Sequence, residues 1–319
     1  MKRPLRTLFY GMSHEHAAGK IATLRGLSDV FEVVAVADDR PRASPSFSTV
    51  PFDASGLRVV SEDEALAIRD IDVVFVETAN RDLMEVASVF AKRGIAMHCD
   101  KPCGEAMEPY RSIVEKCRAR NVPFQVGYMY RGNPALKWIW DFVRRGGLGD
   151  VRFVEADMNH DYQAEGYAEY LATFKAGILY NLGCHLVDMV LPMVCGALLE
   201  ARPSTDVMRG HSLLRFEGTD VMIRTSAGMP GGVLCRRLRV DGSKGTVDLC
   251  PIERFDGREL SLTLTAGGKV ETFGFGMQTD RYAAQLLELA AVVRGEIPND
   301  QDYDRDLKTH ETTLKACGL

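Results

Sequence analysis

Thr7-Leu8-Phe9-Tyr10-Gly11-Met12-Ser13-His14-Glu15-His16-Ala17-Ala18-Gly19 is a short apolar run that breaks at a glycine and passes into polar and then small residues. A buried strand entering a helix through a tight turn reads this way. In a nucleotide-binding fold that turn is where the backbone approaches a pyrophosphate and the helix N-terminus faces its charge. Of the three glycines such a turn usually carries, only Gly11 is present. Ser13 and His16 stand at the second and third positions, so the turn alone also fits an ordinary strand-to-helix connection. Gly11, Ser13 and His14 are its candidate cofactor contacts.

Working outward, the same alternation of short apolar runs and amphipathic stretches continues for about 125 residues, with further strands expected at Val33 to Ala37, Asp72 to Glu77, Ala96 to Cys99 and Phe124 to Gly127. Their Val-rich, non-alternating character suits strands covered on both faces, as in a doubly wound parallel sheet. Leu83, Val86, Ala87 and Phe90 share a helical face that stops at Gly94. Tyr110, Ile113, Val114 and Cys117 share another that stops at Asn121 and Pro123. Asp38 closes the second strand, where a carboxylate accepts hydrogen bonds from an adenosine ribose and repels a 2′-phosphate, which favours NAD. Arg40 and Arg42 follow closely and can hold such a phosphate, so NADP stays open.

Beyond Gly127 the rhythm changes. A helix is expected from Pro134 to Arg145 and a strand from Val151 to Met158. Short strands then follow between Gly, Asp and Pro: Leu213 to Phe216, Val221 to Thr225, Leu238 to Val240, Thr246 to Leu249 and Leu260 to Leu264. Helices at Thr279 to Val293 and at the end of the chain complete the pattern. The fold class is α/β: a Rossmann domain over 1–125, then a second α/β domain over 126–319 with a largely antiparallel open sheet.

The composition agrees with two folded domains and a small-molecule partner. The 319 residues are 46% hydrophobic and 26% charged, with net charge −5, so there is no basic field to hold nucleic acid or an anionic membrane. Eight cysteines lie mostly in apolar runs, as reduced core thiols do; Cys99 and Cys103 alone are close, and their spacing is poor evidence for metal. No signal-peptide stretch opens the chain and no segment reaches membrane-spanning length, so a cytoplasmic protein is expected.

Two further runs carry a resemblance. Cys99-Asp100-Lys101-Pro102 and Asn181-Leu182-Gly183-Cys184-His185-Leu186-Val187-Asp188 resemble the Gfo/Idh/MocA family of sugar and polyol oxidoreductases. Thr78-Ala79-Asn80 looks like the family's Thr-Pro-Asn turn, Gln125 to Arg131 like its domain-joining segment, and Val240 to Thr246 like one of its β-turns. The resemblance implies that Lys101 contacts substrate and the nicotinamide region, with Asp100 in place of the motif's Glu. It implies that His185 moves the substrate proton, that Asn80 helps hold the cofactor, and that the second domain's sheet joins a homo-oligomer.

The residue chemistry is consistent with those roles. An ammonium steadies a developing alkoxide, and Pro102 favours an extended Lys101 that projects from a strand end; a solvated turn lysine is the alternative. An imidazole takes and returns a proton near neutrality. Asn181 replaces the family's Asp and can orient a substrate without carrying charge; Asp188, three residues after His185, is a candidate replacement carboxylate. Tyr128, Tyr130, His160 and Asp161 are candidate substrate contacts, and core packing is the alternative for at least one tyrosine. His160, Asp161 and His185 are metal-binding types without ligand spacing, so no metal is expected. The leading expectation is an NAD(P)-dependent oxidation of a secondary alcohol of a sugar or polyol. Redox-neutral glycoside cleavage and a non-catalytic sensing protein are the alternatives that Ala79 and Asn181 leave open.

Overall fold

The computed structural model describes residues 2–162 and 164–319 and divides into two compact units, one of 2–128 with 282–308 and one of 129–281 with 309–319. The contacts place 282–308 in the first unit, a segment that a single cut at position 125 assigns to the second.

The first unit holds β1 (Leu5–Tyr10), α1 (Ala17–Gly26), β2 (Phe31–Ala37), β3 (Val59–Val60), α2 (Glu62–Ala67), β4 (Val73–Val76), α3 (Leu83–Arg93), β5 (Ala96–Cys99), α4 (Tyr110–Ala119) and β6 (Phe124–Val126). Its six strands run parallel in the order β3-β2-β1-β4-β5-β6, the classic order of a dinucleotide-binding sheet, whose direction of winding reverses between β1 and β4. All four residues of β4 and all four of β5 are buried, which is why their sequences show no alternation. The expected helical faces are the buried ones: Leu83, Val86, Ala87 and Phe90 on α3, and Tyr110, Ile113, Val114 and Cys117 on α4. Gly94 ends α3 in a left-handed conformation (φ +70°), and a Cβ there would lie 2.4 Å from the Arg120 guanidinium.

The second unit begins with a 3₁₀ turn, Met129–Gly132, and continues through α5 (Pro134–Arg144), β7 (Val151–Asn159), α6 (Tyr167–Leu171), α7 (Gly177–Val190), β8 (Leu198–Thr205), β9 (Arg209–Phe216), β10 (Asp220–Ser226), β11 (Arg237–Gly242), β12 (Gly245–Leu249), β13 (Glu259–Ala266) and β14 (Lys269–Met277). The eight strands form a sheet ordered β14-β13-β12-β11-β7-β10-β9-β8, antiparallel except where β10 joins β7. All fourteen residues of α7 are buried, and the helix packs against β7, β9 and β10. The side chains on the other face of the sheet include ion pairs such as Arg224 with Asp157 and Arg237 with Asp248.

Two helices close the chain, α8 (Ala283–Val293) and α9 (Tyr303–Ala316). Helix α8 is tied to the first sheet by reciprocal amides: Gln285 Nε2 donates to the Val126 carbonyl at 2.6 Å, and Gln125 Nε2 donates to the Gln285 carbonyl at 3.0 Å. Five of the eight cysteines are buried, and no disulfide joins any of them among the described residues. Among the described residues no helix is long and apolar enough to cross a membrane.

Candidate functional site

The carboxyl ends of β1, β2, β4 and β5 gather the first group of candidates. Gly11 leaves β1 at φ +104°, and a Cβ on it would lie 2.5 Å from the Thr78 nitrogen, so the close approach of two chain segments requires glycine. The loop that follows is held by Asp39, whose Oδ1 accepts the Met12 N–H at 2.7 Å and the Ser13 hydroxyl at 3.0 Å. Asp38 turns away: Arg40 holds it through two bonds of 2.8 and 2.7 Å and lowers its carboxyl below the ordinary value. Of the two adjacent carboxylates, Asp39 faces the glycine turn.

Several polar atoms here are buried and unsatisfied within the protein. Asp39 Oδ2, Thr78 Oγ1 and Asn80 Nδ2 have no hydrogen-bond partner, and their residues are all buried. Such atoms cost free energy unless something supplies the missing bonds. A carboxylate oxygen, a hydroxyl and an amide N–H suit ribose hydroxyls and a carboxamide, so the donor set fits a dinucleotide.

Lys101 lies at the end of β5, fully buried, with Nζ 2.6 Å from Glu15 Oε1. Its backbone is tied on both sides: the N–H donates to Asp100 Oδ1 at 2.7 Å, and the carbonyl is 3.0 Å from His14 Nε2. His14 Nδ1 accepts the His16 backbone N–H at 3.0 Å, so the ring proton sits on Nε2 and donates to Lys101. The expected cofactor contact at His14 thus lies under the loop, with its ring committed to holding the lysine. Behind Asp100 lies Lys20, 1% exposed, with Nζ 2.8 Å from Glu77 Oε1, 2.5 Å from Asp100 Oδ2 and 2.7 Å from His98 Nε2. His98 receives the ammonium proton at Nε2 and donates from Nδ1 to Gln125 Oε1 at 2.9 Å. Burial pushes Asp100 upward, but the Lys20 ammonium and the hydrogen bond from His16 outweigh it and hold the carboxyl well below its ordinary value. Glu77 goes the other way, raised by burial with Lys20 opposing and the Asp100 charge adding to the rise. The two carboxylates beside Lys20 are thus pushed in opposite directions.

His14, His16 and Asp100 bring ligand atoms within 4.8 Å of one another. These atoms are committed to each other and to the backbone, and the Lys20 ammonium sits against the same carboxylate, so the trio disfavours a cation.

Burial lowers both His14 and His98 from 6.5 to about 3. Their folded values lie below the unfolded one, so their contribution to stability is fully present above about pH 6.5 and is lost as the pH falls toward 3. The urea midpoint should therefore decline from about pH 7 to about pH 5, and His98→Gln should flatten the decline. An identical midpoint at both pH values would refute the neutral assignment.

The second unit carries the other candidates. Asn181 is fully buried on α7 and donates from Nδ2 to the Tyr170 hydroxyl at 3.2 Å. His185, one turn on and 2% exposed, meets the Tyr130 ring edge-on with centroids 5.2 Å apart. The Tyr130 hydroxyl donates to Glu253 at 2.8 Å and accepts from Arg236 at 2.7 Å, so the residue expected at substrate instead fixes the face against which His185 packs. Asp188 is drawn to Arg131, with a closest approach of 2.6 Å, and serves that ion pair. His160 Nδ1 is 2.7 Å from the Tyr167 hydroxyl, and its ring lies 4.2 Å from that of Tyr162. Asp161 is exposed and accepts the Gly231 N–H at 3.3 Å.

Sequence reasoning missed Glu15, Lys20, Glu77, His98 and Asp39. A detectable signal existed for His98, a polar residue in the interior of a fully buried strand, where an unpartnered imidazole is costly.

The comparisons with known proteins agree with this geometry. Residues 9–128 match the model of the oxidoreductase family with the NAD-binding Rossmann fold, and residues 137–248 match that of the GFO/IDH/MocA C-terminal domain. Inositol 2-dehydrogenase of Rhizobium meliloti is 23% identical over 309 residues, covering 91% of this chain and 90% of that protein. The rhizopine catabolism protein MocA of Rhizobium meliloti is 26% identical over 187 residues, 56% of this chain, and the match spans about half of that relative, 52%. The solved structure of KijD10, a 3-ketoreductase from Actinomadura kijaniata with NADP and TDP-benzene, superposes with a TM-score of 0.78 at 17% identity, covering 97% of this chain and 96% of that one. With both of its domains matched in order, the chain belongs to the Gfo/Idh/MocA family.

Proposed function

We propose that this protein is an NAD(P)-dependent oxidoreductase acting on a secondary alcohol of a sugar, polyol or related compound. The observation that carries the reading is the set of unsatisfied buried atoms on Asp39, Thr78 and Asn80, beside the obligate Gly11 and on the same strand ends as Lys101. The relatives named as an inositol 2-dehydrogenase and a 3-ketoreductase support the alcohol or ketone as the reacting group. A bound nicotinamide supplies the hydride acceptor. Asp39 takes the ribose hydroxyls, and Asn80 and Thr78 donate nearby. Lys101 directs an ammonium N–H at the substrate oxygen and steadies negative charge as it develops. His185 removes the hydroxyl proton in oxidation and returns it in reduction. Asn181 orients the substrate without adding charge.

The test is to offer purified protein a panel of sugars and polyols with NAD or NADP and follow the absorbance of reduced cofactor. Glycoside cleavage without reduced cofactor, or no turnover of any alcohol, would remove the reading. The geometry at β2 adds a cofactor prediction. Asp39→Asn should weaken NAD binding by about tenfold to a hundredfold, the worth of hydrogen bonds to a charged group, with a smaller effect on NADP, whose 2′-phosphate the carboxylate repels. Calorimetry with both nucleotides checks it, and equal losses would argue against Asp39 as the ribose contact.

A further inference from the structure

Glu15 contributes the only carboxylate of the β1–α1 loop, and that side chain is 9% exposed and lies 2.6 Å from the Lys101 ammonium. Burial would raise Glu15, but Lys101 outweighs it, with His16 adding, so the carboxyl falls to about 2 and stays ionised. The loop cannot easily swing away, because His14 is bonded to the Lys101 carbonyl and Asp39 to Met12 and Ser13. We propose that Glu15 is a positioning residue that holds the Lys101 ammonium at the end of β5 and keeps it charged for the substrate oxygen. This rests on the reading of Lys101 as the group that steadies the alkoxide.

Magnitudes explain why a counter-ion is useful there. Full burial by itself can lower a lysine by about 3–5 pH units, enough to leave a neutral amine at neutral pH with no charge to offer, whereas a contacting opposite charge offsets about 1–3 of them. Other titratable groups surround the pair. His14 is neutral, and His16 has Nε2 4.0 Å from Glu15. Asp100 is engaged by Lys20 and His16, and Glu77 by Lys20.

NMR of isotope-labelled lysine, with Lys101 assigned by its loss in Lys101→Met, reads the ammonium directly. In the intact protein the Lys101 amine should stay protonated through neutral pH. In Glu15→Gln the titration should move down by about one to three pH units, and Glu15→Asp should restore most of it. On any alcohol that the panel shows to be turned over, the alkaline limb of kcat/KM should move with the NMR titration, and kcat should fall more than KM rises. An unchanged Lys101 titration in Glu15→Gln would overturn the proposal. So would a Lys101 amine already neutral at neutral pH in the intact protein, which needs no variant to fold. If no alcohol is turned over, the oxidoreductase reading fails while the titration still decides the role of Glu15.

Discussion

Lys20→Met is expected to cost about 3–5 kcal/mol of folding stability, a large part of what a domain usually has. The substitution keeps the length of the side chain and removes its charge. What remains is the ionised Asp100 carboxylate, wholly buried, with the ammonium 2.5 Å away gone and the His98 Nε2 lone pair left without its donor. Repacking cannot offset an isolated buried anion, so Asp100 must either take a proton or open the strand end to water. The damage should not stop at the cluster. Asp100 also accepts the Lys101 N–H, and His14 beneath it holds the Lys101 carbonyl, so the strand end that presents Lys101 loosens with it. Urea unfolding of the single variant measures the loss, and a triple variant carrying Asp100→Asn and Glu77→Gln as well should recover most of it, because removing all the charges at once leaves none unpaired. A loss below about 1 kcal/mol, as for an exposed pair, would mean that Asp100 is not an anion in the fold.

That cluster marks the limit of what could be read from the sequence. The parallel sheet was legible because burial on both faces writes itself as continuous apolar runs, as in Val73-Val74-Phe75-Val76, and the helices because their buried faces repeat with the helical period. The strands not foreseen were of two kinds: β3, only two residues long, and β8 and β14, which form the two edges of the second sheet. Edge strands need satisfy only one neighbour and tolerate Pro203 in one and Gly274 and Gly276 in the other, so they lack the dense apolar pattern of inner strands. Motif residues such as Lys101, Asn181 and His185 could be named from the family resemblance of the runs that carry them. Their partners could not, because Lys20, Glu77 and Asp100 come from α1, the end of β4 and the end of β5 and meet only when the sheet forms. That Asp39 rather than Asp38 faces the glycine turn was hidden for a related reason: where the chain leaves a strand, a change of one residue reverses which side chain faces the loop.

Lys101→Met should lower turnover by about a hundredfold to a thousandfold, the usual consequence of deleting one preorganised donor to a developing oxyanion. The proposed cofactor contacts predict how that loss divides. Asp39, Thr78 and Asn80 do not depend on the Lys101 ammonium for their geometry, and Gly11 fits against the backbone of β4's end, so dinucleotide affinity should change far less than kcat. An effect on kcat and kcat/KM together, with binding nearly intact, is the signature of an interaction made in the transition state. One structural complication has to be separated from this. Removing the ammonium strands the Glu15 carboxylate 2.6 Å from where Nζ was, and a stray anion beside the reacting oxygen would itself oppose an alkoxide. The double variant Lys101→Met with Glu15→Gln removes that anion. If it stays as slow as Lys101→Met, the missing positive charge accounts for the loss; if it recovers to the intact rate, Lys101 matters only by neutralising Glu15, and the ammonium is not the group that steadies the substrate oxygen.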